Sequence, residues 1–431
     1  MKITIVTGPF YPVPPAPCGA VERLWRDLAE RFARLGHDVT VLCRHWPGQA
    51  QDETVADVRY VRRTRMSHTR SIYFDLVQDL WYSLRMLLHQ PRSDVTVTNV
   101  FWLPALLRLR RRRAGASVVN VTRWPKRQLK LYTRAARLAA ASGAIRDEIV
   151  RQTPDVAPRV KVLPNPIDAD VFTPPTAPRD RRAGSGTILY TGRVHPEKGV
   201  HLLVDAFRAL AGEFPDLRLR IIGATSIAAG GGGAEYVESL KRRAGGLPVD
   251  LVEPIYERSA LADELRAAHF YCYPSVAAHG EALPVAPLEA MATGLAPVVS
   301  ALPVFRDYVD AGRTGFVFDH ADEGEGATAN LAAALRQLVT SPALAEEAGA
   351  AASREAARFG YDSVARVWLD DFEQLVRAQA RAPGAAGAST SRPAGTPDAA
   401  VAPARAPARR APAAASSSSA AAASPSNAEG K

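Results

Sequence analysis

Two hydrophobic periods alternate along most of the chain. KITIVT at the start is a short apolar run ending in a Pro/Gly loop, GPFYPVPPAPCG, which predicts a buried strand. AVERLWRDLAERFARLG then repeats with helical spacing, with Val21, Leu24, Leu28, Phe32 and Leu35 on one face and Gly36 closing the helix. HDVTVLC returns to a strand pattern, so the opening reads as strand, helix, strand, the unit of a right-handed parallel sheet. Further strands are predicted at DVTVTNV, SVVNVT and VKVLPNPID. A turn-rich linker, TPPTAPRDRRAGSG, separates this block from a second one. The second runs TILYTG, a helix over 200–213, LRLRIIGA, a helix over 235–243, VDLVEP, the helix SALADELRAA, the strand FYCYPS, a helix holding Glu289, and the strand APVVSA.

The pattern predicts an α/β chain of two doubly wound, Rossmann-like domains, 1–175 and 176–360, facing a cleft. A helix over 361–381 packs back toward the first domain, and an Ala/Pro/Ser-rich tail over 382–431 is too poor in apolar residues to fold. Gly230–Gly233 reads as a flexible loop, lacking the following Lys-Ser/Thr of a phosphate cradle.

Charge changes this picture more than composition does. Residues 1–180 hold 29 Lys and Arg against 16 Asp and Glu, and the excess is densest between Arg108 and Leu138. Such a face is either a solvated surface or a contact for an anionic partner, for which acidic phospholipid or a phosphate-bearing lipid substrate fits better than nucleic acid. No nucleic-acid motif is visible, and none is expected as a partner. Cys18, Cys43 and Cys272 are far apart and follow no metal or disulfide spacing. With no apolar run long enough to span a bilayer, and with the start reading as strand and loop, the expected location is cytoplasmic, peripheral at the inner face of the membrane.

The cleft between two wound sheets is the default ligand site, and three stretches in particular would face it. Gly19 precedes the first helix, where bare backbone N–H groups approach a phosphate. TGRVHPEKGV places Arg193 and Lys198 just past a strand, a cationic pair suited to a diphosphate that gains charge as its bond breaks. HGEALPVAPLEAMATG puts Glu281 before a helix begun by Pro284 or Val285 and Glu289 about one turn into it, so two carboxylates can accept from hydroxyl pairs of a ligand lying across the helix end. The one Asp-x-Asp, Asp168 to Asp170, sits in the segment between the domains, and no metal is expected there.

These stretches together resemble the family 4 glycosyltransferases of the retaining GT-B type. The likeness covers about residues 1–380 and is strongest in TGRVHPEKGVHLLVDAF, LRLRIIGA, YPS, EALPVAPLEAMATGLAPVVS and GRTGFVF; CGAVERLWRDLAERFARLGHDVTVL and VLPNPIDADVF carry it in the first domain. The resemblance implies a nucleotide-sugar donor on the second domain and an acceptor on the first. By it, Arg193 and Lys198 hold the donor diphosphate, Glu281 a hydroxyl of the donor sugar and Glu289 the ribose. Ala282, Leu283 and Val285 add backbone contacts, and Gly19 lies over the diphosphate from the other side. Arg193, Lys198 and Glu281 are the expected catalytic set, acting by positioning and by stabilising the leaving diphosphate, with no cofactor and no metal. The implied reaction moves a hexose-type sugar to an acceptor hydroxyl of a bacterial envelope polysaccharide, glycolipid or lipid-linked glycan.

The chain departs from the family pattern at Cys18, where a second Gly is usual, and at Pro284, which removes a backbone donor. A first-domain His that many members carry is missing. Asn99, Arg123 and Lys126 are the candidates for the acceptor side, with His279 in the donor loop, while His195 and His201 are read as structural. The missing His favours an alternative, a non-catalytic protein that keeps the nucleotide-sugar pocket. A nicotinamide dehydrogenase is disfavoured because G-x-G-x-x-G does not follow the first strand.

Overall fold

The computed structural model describes residues 1–14, 19–64, 66–69, 71–321 and 324–381. Cys18 and the Ala/Pro/Ser-rich tail, both singled out in the sequence, lie outside the described residues.

The first half runs β1 (Lys2–Val6), α1 (Ala20–Arg34), β2 (Asp38–Arg44), β3 (Asp52–Val55), β4 (Val58–Arg63), α2 (Ile72–His89), β5 (Val95–Thr98), the short turns α3 (Leu103–Leu106) and α4 (Arg111–Ala114), β6 (Ala116–Val121), β7 (Arg137–Ala140), α5 (Gly143–Gln152) and β8 (Val160–Val162). Its eight strands lie in the order β3-β4-β2-β1-β5-β6-β7-β8. All neighbours are parallel except the β3–β4 hairpin.

The second half runs β9 (Gly186–Thr191), α6 (Val200–Glu213), β10 (Leu217–Ile222), α7 (Gly233–Ala244), β11 (Val249–Val252), α8 (Arg258–Ala267), β12 (Phe270–Tyr273), α9 (Val285–Ala292), β13 (Pro297–Ser300), β14 (Phe316–Phe318), α10 (Glu325–Thr340), α11 (Pro342–Ala356) and α12 (Tyr361–Arg381). Its six strands are all parallel, in the order β11-β10-β9-β12-β13-β14. This is the expected α/β architecture of two Rossmann-like sheets, each with helices on both faces.

Burial refines the reading of α1. Its core stripe is Trp25, Leu28, Ala29 and Phe32, while Leu35 is exposed because it caps the helix and leaves the repeat. The long last helix is tied to the first sheet's layer rather than to the second's. Trp368 meets Trp25 edge-on at 5.1 Å and Phe372 meets Phe32 at 5.9 Å. Fully buried Asp371 accepts two bonds from Arg137, at 3.0 and 2.8 Å, and pairs with Lys161 at 3.0 Å. A buried carboxylate met by two cations is desolvated but compensated, which fixes where α12 sits.

The linker between the halves is docked as well. Arg179 donates to the carbonyls of Ala268 at 2.8 Å and Thr293 at 2.7 Å, and burial, with Arg181 nearby, pushes its guanidinium down to about 10. The glycine run at 230–233 is not a free loop either: Gly232 N–H donates to Val194 O and Gly233 N–H to Thr225 O, both at 2.8 Å, and α7 starts at Gly233.

Candidate active site

Topology assembles the site. In the second sheet the chain winds outward from β9 through β10 to β11, then returns to place β12 on the other side of β9. Loops leaving β9 and β12 therefore diverge from adjacent strand ends at a switch point, where a crevice opens. Arg193 and Lys198 stand in the first of these loops and Glu281 in the second. The loops pack so closely that a Cβ on Gly199, which has φ +65°, would strike the Pro274 carbonyl.

Lys198 and Glu281 meet there. Lys198 Nζ donates to Glu281 Oε1 at 2.6 Å, with both residues buried. The same oxygen accepts from Tyr273 Oη at 3.0 Å and Ser275 Oγ at 2.7 Å. Ser275 is in turn tied to its surroundings, its carbonyl accepting from Ser300 Oγ and its Oγ lying 3.3 Å from Glu197 O. Arg193 sits farther out, nearly half exposed, and donates to Gly230 O at 2.9 Å and Glu197 Oε1 at 2.6 Å. The two cations differ in state: Lys198 is buried and committed to a carboxylate, while Arg193 reaches solvent.

Glu289 lies on α9, whose N-cap is Pro284. Pro287 is the third helical residue, so among the first three positions only Val285 and Ala286 carry an N–H for an anion. Tyr308 Oη donates to Pro284 O at 3.2 Å and holds the loop, and Leu283 is buried in the core while Ala282 is half-buried. Glu289 is half-buried by surface area, yet its carboxyl is pushed up to about 7. Desolvation is the main cause and Asp168 adds to it, opposed by Arg258 and Arg23.

From the first half, Gly19 caps α1 in extended backbone. Glu22 follows at the third helical position and reaches back over it, the place of a capping-box carboxylate. Glu22 is buried and its carboxyl is raised to about 7 by desolvation, against the pull of its own backbone N–H and of Arg123. Glu22 is not among the residues expected at the site from the sequence, although its spacing from Gly19 marks it. Asn99 is spent internally: Oδ1 accepts from Trp25 Nε1 and Asn120 Nδ2, both at 2.8 Å, and Nδ2 donates to Val6 O at 3.2 Å. Arg123 and Lys126 are exposed. His279 stands edge-on to Trp124, ring centroids 4.8 Å apart, so a contact between the halves closes one side of a small cavity lined by Trp124, Ala144, Ala277, Glu281, Leu302 and Val304.

Two further contacts join the halves. Arg258 donates to Asp27 Oδ2 at 2.7 Å and to Asp168 Oδ2 at 2.8 Å, and Gly143 N–H donates to Asp307 Oδ2 at 2.7 Å. Asp168 is thus occupied by an arginine, and Asp170 lies 3.8 Å from Arg31. Among the described residues no group of three or more His, Cys, Asp or Glu could hold a metal ion.

Residues 177–355 match the family described as Glycosyl transferases group 1, and residues 21–171 match Glycosyltransferase Family 4. A D-inositol 3-phosphate glycosyltransferase of Kribbella flavida is 30% identical over 311 residues, 69% of this chain and 70% of the relative. The chain is a family 4 glycosyltransferase by descent. A like-named relative from Streptomyces avermitilis is 31% identical over 266 residues, 59% of this chain. There the chain covers 55% of the relative's length, and 60% of that of a third, from Kineococcus radiotolerans. Among solved structures, sucrose-phosphate synthase from Thermosynechococcus elongatus superposes with a TM-score of 0.69 at 20% identity, over 88% of this chain and 100% of the other. Anabaena Alr3699/HepE in complex with UDP and glucose gives 0.64 at 18%, over 87% and 100%. These likenesses establish the GT-B fold for the family 4 chain.

Proposed function

We propose that this family 4 chain is a working glycosyltransferase that moves a hexose-type sugar from a nucleoside diphosphate to an acceptor hydroxyl, with retention of configuration and without a metal. The observation that carries the reading is the buried Lys198–Glu281 pair at the switch point of the second sheet, with Arg193 beside it and Glu289 one helix turn beyond the loop. An ammonium has three N–H donors, and Glu281 takes one, which leaves Lys198 free to donate to a diphosphate oxygen. Arg193, held at Gly230 and Glu197, supplies a second cation from the solvent side. Together they stabilise the charge that builds on the departing diphosphate.

In this reading Glu281 Oε1 stays with Lys198 and Oε2 accepts a hydroxyl of the donor sugar, while Glu289 accepts from the ribose. Ala282, Leu283 and Val285 line the loop between them, and Gly19 closes over the diphosphate with its backbone. Arg123, Lys126 and His279 lie on the acceptor side, where exposed cations suit a phosphate-bearing acceptor. The inositol phosphate in the relatives' names and a lipid-linked or envelope glycan both fit that chemistry. Contact with an anionic membrane at its cytoplasmic face belongs to the same proposal.

Isothermal titration against UDP, GDP, ADP and their sugar conjugates tests it, beside an Arg193→Ala, Lys198→Ala double variant. Binding of one nucleotide class, lost in the variant, is the expected result. Binding with no sugar release in the presence of any phosphorylated or lipid-linked acceptor would favour the non-catalytic alternative.

A further inference from the structure

Helix α2 is apolar on two opposite sides. Its inner side carries Tyr82, Met86 and Leu87, packed with Val6, Leu42, Leu103 and Leu107. Polar bonds lock that side down: Tyr82 Oη donates to Thr7 O at 3.1 Å, and buried Asp79 accepts from the backbone N–H groups of Phe101 at 3.2 Å and Trp102 at 3.0 Å. Its outer side carries Tyr73, Phe74, Val77, Trp81, Leu84 and Leu88, spaced three and four residues apart and therefore aligned in one stripe. These are open to solvent, Tyr73 at 77%, Trp81 at 56% and Leu88 at 64%. An exposed apolar stripe on a helix whose inner face is already satisfied marks an interaction surface.

Charge identifies its partner. From Leu80 to Arg146 the chain holds 14 Lys and Arg and a single acidic residue, Asp94. Arg108 and Arg110–Arg113 follow directly on the Leu103 and Leu107 anchors that α2 packs against, and Leu109 stands among them 68% exposed. Apolar and aromatic side chains flanked by arginines are the composition of a surface that lies in the headgroup region of an acidic bilayer. A two-fold dimer over the same face would carry both copies' arginine runs to one interface, like charge toward like. No described helix is long and apolar enough to cross a membrane, and α2 is fixed along the protein by its inner side.

We propose that the outer face of α2, with the adjoining arginine run, docks the protein on an anionic phospholipid surface, the aromatic and aliphatic side chains entering the headgroup layer and the arginines pairing with lipid phosphates. This deepens the membrane-contact part of the proposed function and rests on it, but not on the donor site.

The test is sedimentation of the full chain with vesicles of phosphatidylcholine alone or with about 30% phosphatidylglycerol, at low and high salt. The wild type is expected to partition onto the acidic vesicles only, and less so as salt rises. Tyr73→Ser, Trp81→Ser, Leu88→Ser together should weaken partition at least tenfold. Arg108→Gln, Arg111→Gln, Arg112→Gln together should weaken it about a hundredfold, from about 1 kcal/mol per cation at the surface. Nucleotide titration of the same variants should be unchanged, so a failed membrane result leaves the donor reading standing. If the serine variant loses nucleotide binding, Trp81→Phe alone carries the test, through a smaller vesicle-induced blue shift of tryptophan emission. Equal uptake by neutral and acidic vesicles, no uptake, or a concentration-dependent dimer abolished by the serine variant would overturn the proposal, the last by giving the face to a second copy.

Discussion

Removing the Lys198 ammonium isolates the strongest interaction in the candidate site. In Lys198→Met the Glu281 carboxylate stays buried with two neutral donors, Tyr273 at 3.0 Å and Ser275 at 2.7 Å, in place of an ammonium at 2.6 Å. Breaking one side of a buried ion pair costs about 3–5 kcal/mol, since the remaining charge is desolvated without its counter-charge. For a unit of roughly 200 residues each kcal/mol moves the midpoint by about 2–4 °C, so the second sheet's transition should fall by about 6–20 °C. Glu281→Gln keeps an acceptor for the ammonium and should cost less, about 2 kcal/mol. The informative variant is the double one. Without either charge nothing is stranded, so its loss should be smaller than the sum of the singles by about 1–3 kcal/mol. The assay is scanning calorimetry of the four proteins at one pH, with nucleotide titration alongside. Arg193→Ala is the control, because that side chain is nearly half exposed and should lose nucleotide affinity with little change in midpoint. Additivity of the two single changes within about 0.5 kcal/mol would refute the coupling, and with it the idea that Glu281 holds Lys198 ready for the diphosphate.

Three other outcomes follow from the same contacts. Arg258→Met removes the bridge from α8 to Asp27 and Asp168, and small-angle scattering should register a larger radius of gyration; an unchanged radius would show that the Asp307–Gly143 contact suffices. The Glu22 carboxyl titrates at about 7 in the fold against 4.5 as its ordinary value, so the native state holds more protons in that window and its stability falls as pH rises from about 4.5 to about 7. Glu22→Gln should therefore raise the midpoint at pH 8 and barely alter it at pH 4.5, and equal gains at both would remove the carboxyl as the cause. Glu289, also at about 7, should make nucleotide affinity fall on acidification from pH 8 to 6, whereas Glu289→Gln should bind weakly with a flatter profile; parallel profiles would sever Glu289 from the ribose.

The second half was legible from β9 to β13 because each element in that stretch shows a single period. TILYTG, LRLRIIGA and FYCYPS are apolar runs bounded by Gly or Pro, and the 200–213 helix has one stripe. The first half hides more. Helix α2 has no polar face to set a period, since one side is apolar against the sheet and the other apolar toward solvent. The β3–β4 hairpin turns at Ala56 and Asp57, both at positive φ, where Asn-Gly would have announced the turn. RLAA in β7 and FVF in β14 are too short to show alternation. In the site, Arg193, Lys198, Glu281 and Glu289 could be named from their places after strands, but not their pairing. Lys198 and Glu281 are 83 residues apart and meet only because β12 lies beside β9. Arg258, Asp27 and Trp124 sit on opposite halves from their partners, so no local spacing points to them.

The two carboxylates that frame α9 emerge as physically different groups. Glu281 is locked by an ammonium and two hydroxyls before any ligand arrives, so what it offers a ligand is position. Glu289 has no such partner among the described residues and is tuned at a distance, by Arg258 and Arg23 against Asp168. Two of those three, Arg258 and Asp168, belong to the bridge that ties α8 to α1. A motion that separates the halves would move Arg258 away from Asp27, alter the charge around Glu289 and so change its readiness to accept a hydroxyl. If Glu289 accepts from the ribose as proposed, closure of the cleft and readiness of that carboxylate are one electrostatic event, and Arg258→Met should then shift the pH profile of nucleotide affinity upward rather than merely lower its plateau.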